Sequence, residues 1–453
     1  MEKFQKKYGF SEEEWNACLH VLSILKDQPL NNPDNQKFGT LLKKISKNAK
    51  KQLSNHKAVK ADTIAIMKKS TIAKNAILNK TYYGEESDLE IPTLIKTKIA
   101  KNCYACNSQY HQIHSFYHRL CPDCAKLNFT NRSLKVDLSN RNVILTGGRI
   151  KVGYASALKI LRCNANLTIT TRFPAIAFEN FQKEKDFEKW KDRLNIYGLD
   201  LRRIKDVEQF INDYSDKNNS LDILINNAAQ TIQYDQHYYA KIQNQENNLI
   251  AKNKELNRNK ASIQNLIEYP KDQLIPFEEN DLNRFGQPID QRLKNSWNSK
   301  LEEIDIIELL EVNLINQISP YILIKGLLPI LKKSSFENKF IINVTSSEGQ
   351  FSYENKTRFH PHTNMTKAAL NMLTHTSAKD YAQNKIFLNC VDVGWISTGA
   401  IEPLRKKQFE AGYIPPLDPV DGAARILHPI YEQLKNKKTI FGKLLKNYRI
   451  TDW

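Results

Sequence analysis

The chain has 453 residues, 41% of them apolar, and a formal net charge of +18 from 67 Lys plus Arg against 49 Asp plus Glu. Only 15 Gly and 16 Pro exclude a collagen-like or low-complexity chain, and seven cysteines, an odd number, argue against a disulfide framework. No run approaches the roughly 18 apolar residues of a membrane span, and the charged start MEKFQKKYGF lacks the apolar centre of a secretory signal. No membrane partner and a cytoplasmic location are therefore expected. A positive balance draws nucleic acid or phosphorylated ligands. No aromatic-interleaved basic motif accompanies it, so Lys- and Asn-rich solvated faces account for it better than a nucleic-acid partner does.

Residues 1–98 read as a helical, basic region. Ser11 to Glu14 has the S-x-x-E capping-box pattern, followed by Trp15, Cys18, Leu19, Val21, Leu22 and Leu25 at helical spacing. NNPDN at 31–35 interrupts the period, and Lys-rich amphipathic segments follow near 37–53 and 59–79. No chemistry is legible in them.

Residues 99–134 contain CYACNSQYHQIHSFYHRLCPDC. Cys103 with Cys106, and Cys121 with Cys124, are two C-x2-C pairs separated by fourteen residues. Each pair can form a knuckle presenting two thiolates, and four thiolates complete the tetrahedral shell of a structural Zn²⁺. His111, His114 and His118 lie between the pairs as substitute ligands, but the four thiolates already fill the shell. A segment this short needs its metal to fold.

From 135 to 453 strands and helices alternate. The expected fold class is α/β: a doubly wound (Rossmann) parallel sheet, preceded by a helical region and a small zinc ribbon. Asn142–Leu145 reads as a strand, Thr146, Gly147 and Gly148 as a turn, and the stretch from about Val152 as a helix; Leu167–Thr171 is the next strand. Gly in such a turn lets the backbone approach a pyrophosphate, whose oxygens meet the N–H groups of the helix start. Further strands are expected at Ile196–Leu201, Leu221–Ile225, Phe340–Thr345, Ile386–Asp392 and TIFG (439–442). Helices are expected at 304–331, Thr363–Tyr381 and Pro419–Leu434. A polar insertion at about 232–304 leaves the carboxyl end of a strand and should overhang the crevice, as a lid, a partner surface or an expansion without function. Its QNQENNLIAKNKELNRNKASIQ is helix-like, and its FEENDLNRFGQP reads as a loop.

Residues 140–445 resemble the short-chain dehydrogenase/reductase family. The matches are TGGRIKVG (146–153), Asp200, NNAA (226–229), Asn313 in EVNLI, NVTSS (343–347), Lys367 and VGWIST (393–398). The resemblance implies seven parallel strands, NAD(H) or NADP(H) in the crevice and a small-molecule substrate, with homo-oligomers a family expectation. It implies that Thr146, Gly147 and Gly153 form the pyrophosphate loop and that Asp200 sits by the adenine. Asn226 with Ala228 would steady the central strand beside the cofactor, and Thr398 would meet the nicotinamide amide. Asn313, Ser347 and Lys367 match the catalytic Asn, Ser and Lys.

Two departures stand out. Lys151 occupies a loop position where the family has a second Gly, so its side chain must turn away from the cofactor or meet a phosphate. Thr363 stands four residues before Lys367, where the family has a catalytic Tyr. An alkyl hydroxyl does not ionise near neutral pH, so another group must move the proton. His362 is the first candidate and Tyr353 the second, with His360 also nearby. After the second strand comes Arg172 instead of the acid of NAD-preferring sites, which favours NADP over NAD. The expected function is an NADP-dependent oxidoreductase acting on a carbonyl or alcohol. The alternatives are an NADP-binding scaffold or sensor that lost turnover with the Tyr and, less favoured, a nucleic-acid-binding zinc protein.

Overall fold

The computed structural model describes residues 5, 8–84, 89, 91–234, 236–252, 282–353 and 356–453. The expected helix-like stretch beyond 252 and the first part of FEENDLNRFGQP lie outside these residues. Two compact units divide the chain, Met1–Ile64 and Ala65–Trp453. In the first, α1 (Glu12–Leu25) starts on Ser11, whose hydroxyl accepts from the Glu14 N–H at 3.1 Å while the Glu14 carboxylate accepts from the Ser11 N–H at 2.7 Å. α2 (Asn35–Lys69) is one helix where two segments were expected, because residues 54–58 contain neither Pro nor Gly to break it.

The second unit continues with α3 (Thr71–Ile77), the antiparallel pair β1 (Leu94–Asn102) and β2 (Gln109–His114), and α4 (Pro122–Arg132). The Rossmann unit follows: β3 (Asn142–Thr146), α5 (Lys151–Arg162), β4 (Asn166–Thr171), α6 (Pro174–Gln182), β5 (Leu194–Gly198), α7 (Ile204–Lys217) and β6 (Ile223–Asn226). Next come α8 (Gln236–Lys252), α9 (Ile306–Asn313), α10 (Ser319–Lys332), β7 (Lys339–Thr345), α11 (Pro361–Gln383) and β8 (Ile386–Asp392). α12 (Glu402–Glu410), α13 (Pro419–Asn436), β9 (Leu444–Lys446) and β10 (Arg449–Thr451) complete the fold.

The sheet runs β5-β4-β3-β6-β7-β8-β9-β10. β3 to β9 are parallel, and β10 returns antiparallel to β9. Among the described residues seven parallel strands are present, as the family resemblance implies, but the seventh is not TIFG. Gly442 turns the chain there at φ +63°, and Leu444–Lys446 pairs with β8 instead. Strand order reverses between β3 and β6, which opens the crevice at their carboxyl ends.

Side chains alternate across the sheet. Val143 and Leu145 face an apolar cluster with Leu158, Leu161, Ile426 and Ile430 of α5 and α13. Ile144 faces the opposite cluster with Phe210, Leu323 and Leu327 of α7 and α10. The helix expected over 304–331 is broken by a π-type turn at Leu314–Ile318. By length and composition alone Ile306–Lys332 would suffice to cross a membrane, which corrects the expectation that no such run exists. Half of its most apolar window is buried inside the fold, with Leu323, Ile324, Leu327 and Leu331 on the sheet.

The cysteine segment is anchored on α13. Buried Arg132 donates from Nη1 to Asp418 at 2.6 Å and to Asp421 at 3.2 Å. The Tyr117 hydroxyl donates to Asp421 at 2.5 Å, and Arg425 donates to Asn128 at 2.6 Å.

Candidate functional site

The carboxyl ends of β3, β4, β6, β7 and β8 open into one cavity of about 1160 Å³. Gly147 begins its floor in a left-handed conformation (φ +74°), with its N–H donating to Thr170 O at 2.9 Å. A Cβ on Gly153 would lie 2.0 Å from Gly147 O and 2.7 Å from Asn227 Nδ2, so only Gly fits. The Thr146 hydroxyl accepts from the N–H groups of Asn227 and Ala228, at 3.0 and 3.1 Å. Asn227 Nδ2 donates back to Thr146 O at 3.0 Å and Gly147 O at 3.3 Å. Asn227 therefore ties down the glycine turn, a role the sequence reading missed. Asn226 lies behind the cavity and donates to Asn343 at 2.9 Å, which joins the central strands β6 and β7. Strand alternation sends the two Asn side chains to opposite sides.

Lys151 has φ +53°, a conformation that favours Gly, and its ammonium lies 5.2 Å from the centre of the Phe285 ring. Burial, then Arg284 and Arg149, lower its pKa to about 8. Nearby, Arg149 and Arg172 flank one ring: their guanidinium carbons lie 5.1 and 5.8 Å from the centre of Phe173. Arg172 also donates to the Tyr239 hydroxyl at 3.2 Å and lies over that ring at 4.7 Å. Burial and then the charge of Arg172 lower the Arg149 pKa to about 10. Sequence reasoning missed Arg149 as well. α8, the start of the insertion, covers this end: the Glu246 carboxylate accepts from the Ala175 and Ile176 N–H groups at 2.7 and 2.9 Å. Asp200 lines the cavity, but its carboxylate is held by Arg202 at 2.6 Å, which in turn reaches Glu311 at 3.0 Å.

At the other end Lys367 donates to Val344 O at 2.9 Å, and burial lowers its pKa to about 8. Thr363 faces the cavity one helical turn earlier; its hydroxyl lies 3.1 Å from that of Thr231 and donates to Gln230 O at 3.3 Å. Ser347 lines the cavity, yet its hydroxyl donates to Asp392 and accepts from Lys446, both at 2.9 Å. The neighbouring Ser346 also lines the cavity, and its hydroxyl has no hydrogen bond among the described residues. Thr398 lines it too, with its hydroxyl accepting from Ala400 N–H at 3.1 Å.

Two expected positions do not line the cavity. Asn313 does not line the cavity: its side chain donates to Leu309 O at 2.7 Å and accepts from Gln317 at 2.5 Å, within its own helix. Asn316, inside the π-type turn, is the buried Asn near the site; it pairs with the Gln230 N–H and carbonyl, each at 2.8 Å, and donates to Thr366 at 3.1 Å. His362 does not line the cavity either; it is buried just behind the wall, with Nε2 2.8 Å from O of Thr231, which does line it. His360 and Tyr353 do line it. His360 has φ +45°, stacks on Trp297 at 4.7 Å and holds Nδ1 2.9 Å from Trp297 O. Its Nε2 has no hydrogen bond among the described residues, and burial lowers its pKa below the usual 6.5.

The four cysteine sulfurs lie within 4.8 Å of one another. Cys106 Sγ is 3.7 Å from Cys121 Sγ, close to the ~3.8 Å that two thiolates about 2.3 Å from one tetrahedral zinc would show. His114 and His118 are engaged elsewhere: Nδ1 of the first accepts from Phe116 N–H at 3.1 Å, and Nε2 of the second lies 3.2 Å from Ile414 O. Cys103, Tyr104 and Arg119 of this segment line the same cavity as Lys367.

Residues 293–414 match the profile of a family described as enoyl-(acyl carrier protein) reductase. Over 353 residues the chain is 32% identical to an uncharacterized protein, R665, of Acanthamoeba polyphaga mimivirus, covering 76% of this chain and 74% of that protein. Among solved structures it is similar to the NADP active-site complex of RhlG from Pseudomonas aeruginosa, at 17% identity and TM-score 0.46 over 68% of this chain and 95% of that one. It is also similar to NADPH-bound carbonyl reductase from chicken fatty liver, at 18% identity and TM-score 0.44 over 70% of this chain and 100% of that one. The chain belongs to one family with the viral R665 protein and, by its profile match and the order of its motifs along the sheet, to the short-chain dehydrogenase/reductases.

Proposed function

We propose that this protein is an NADP(H)-dependent oxidoreductase of a carbonyl or alcohol, with His360 in the proton-transferring role. The observation that carries this reading is one continuous cavity joining the glycine turn and its two arginines to Lys367. Arg149 and Arg172 are like charges in a poorly hydrated wall, and an anion between them would relieve their repulsion. The 2′-phosphate of NADP is such an anion, and NAD lacks it. The glycine turn, with Gly147 and Gly153, suits the pyrophosphate, Lys367 the ribose, and Thr398 the carboxamide. The bound dinucleotide supplies the two-electron chemistry. For the substrate oxygen, the unengaged hydroxyl of Ser346 is better placed than that of Ser347, which Asp392 and Lys446 occupy. Trp297 O fixes the proton of His360 on Nδ1 and leaves Nε2 for exchange. A second reading, a dinucleotide sensor without turnover, is favoured by Thr363 at the tyrosine position.

NADP(H) should bind more tightly than NAD(H), and Arg172→Glu should weaken NADP(H) by about 10- to 100-fold, the loss of a charge-assisted contact. Calorimetry showing equal affinities for the two dinucleotides, unchanged by the substitution, would reject the assignment.

The cysteine cluster supports a resident zinc ion in a structural role. Four thiolates this close repel unless a dication neutralises them. The Ser108 hydroxyl hydrogen-bonded to Cys106 already lowers that thiol to about 6. Protein purified without chelators should carry about one zinc per chain, and Cys121→Ser should lose it. Elemental analysis finding no metal would end this reading.

A further inference from the structure

Resting on the oxidoreductase reading, we propose that Arg119 anchors an anionic group of the substrate. Its guanidinium carbon lies 5.3 Å from the centre of the Trp395 ring and 5.1 Å from that of Tyr413, and the residue lines the cavity. Nη1 is buried without a hydrogen-bond partner, and the guanidinium has no ion pair among the described residues. The residue as a whole is only partly buried, but buried donors are nearly always satisfied, so this one nitrogen calls for a ligand. Asp392, an acid on the same cavity, is already engaged by Gly394 N–H at 2.8 Å and by Ser347.

The position of Arg119 is fixed from both sides. Tyr104 N–H donates to the Arg119 carbonyl at 2.8 Å, and the Tyr104 hydroxyl accepts from Trp395 N–H at 2.8 Å. The cysteine segment thus holds this cation against the loop that follows β8, three residues before Thr398. Four strand spacings separate β8 from β4, which carries Arg172; at ~4.8 Å each that is about 19 Å across the sheet. Arg119 is therefore at the substrate end and cannot share the 2′-phosphate with Arg172. Against it Trp395 and Tyr413 supply flat apolar walls, and Tyr353 lines the same cavity. A planar guanidinium between aromatic faces suits a carboxylate or phosphate on a flat or apolar body. The substrate class is a carbonyl or alcohol compound of that kind.

The test uses the full chain with saturating NADP⁺ and three probes titrated calorimetrically: 2-naphthoate, 2-naphthyl phosphate and the neutral 2-naphthamide. One or both anions should bind at least ~10-fold more tightly than the amide, and which one does so separates carboxylate from phosphate. Arg119→Gln should remove that preference, Arg119→Lys should restore part of it, and NADP(H) affinity should stay unchanged in both. Equal binding of anions and amide, no binding of either anion, a preference that survives Arg119→Gln, or a loss of NADP(H) affinity in Arg119→Gln would each overturn the proposal. Repeating the titrations without the dinucleotide keeps the two readings apart. If the wild type fails to bind NADP(H), the cofactor assignment falls, while the comparison of anion and amide still decides the role of Arg119.

Discussion

His360→Ala should lower carbonyl reduction by about 10²- to 10⁴-fold, the usual contribution of a positioned proton donor, with NADP(H) affinity unchanged. His362→Ala should leave turnover within a few-fold of wild type, because its imidazole does not line the cavity and its Nε2 is engaged by Thr231 O. The sign of the pH dependence follows from the environment. Reduction consumes a proton, so it needs the protonated imidazole. Burial holds the pKa of His360 below 6.5, so kcat for reduction should fall as pH rises through that lowered value, and kcat for oxidation should rise. Thr363→Tyr offers a second route: a phenol one turn from the Lys367 cation should raise turnover and lift the alkaline limit. Wild-type turnover that survives His360→Ala with its pH profile intact would place the proton donor elsewhere, with Tyr353 the next group on the cavity wall.

Arg132→Met should cost about 3–5 kcal/mol of stability, because it takes the cation from buried Asp421 and from partly exposed Asp418. Asp418 and Asp421 both lean on this one guanidinium, and both cap the first turn of α13: Asp418 accepts from Val420 and Asp421 N–H at 2.9 and 3.0 Å. Urea unfolding of the variant measures the loss. Adding Asp421→Asn should recover part of it, since one orphaned charge is then gone. A loss under about 1 kcal/mol would mean that water reaches and solvates these carboxylates.

What the sequence revealed, and what it hid, follows from the range of the interactions. Ile386–Asp392 is a mostly apolar run, broken only by Asn389 before the closing Asp392, between a helix and a glycine turn, and it is the strand expected. The glycine turn was legible because Gly147 and Gly153 are demanded by backbone approach that no other residue permits. The final parallel strand was not: Leu444–Lys446 is three residues long, too short for any period to show, and TIFG is the more apolar run. The choice of His362 over His360 came from adjacency to Thr363. Successive helical residues point about 100° apart, so a neighbour in sequence looks elsewhere. His360 stands just before α11 in a left-handed conformation, outside the helical period. Asn313 lies off the cavity lining for a related reason. A π-type turn at 314–318 shifts the facing of that helix, and composition does not announce it. Arg119 and Arg149 were invisible as site residues because each acts through a wall built by distant parts of the chain.

The anchoring of the cysteine segment has a consequence for how the chain is made. Its contacts skip almost the whole sheet: Arg132 to Asp418 spans 286 positions, Tyr104 to Trp395 spans 291, and Tyr117 to Asp421 spans 304. At a synthesis rate of about 5–20 residues per second, the segment leaves the ribosome about 15–60 s before its partners exist. Until then Arg132 and Tyr117 have no carboxylate to meet. Closure over such separations carries the entropy of a very long loop and belongs among the slow events of folding. The four cysteines span only 21 positions from Cys103 to Cys124, and a zinc ion bound to them would have no such wait. A zinc ion held there would let this segment set before the sheet is complete and dock on the last long helix after the strands have paired.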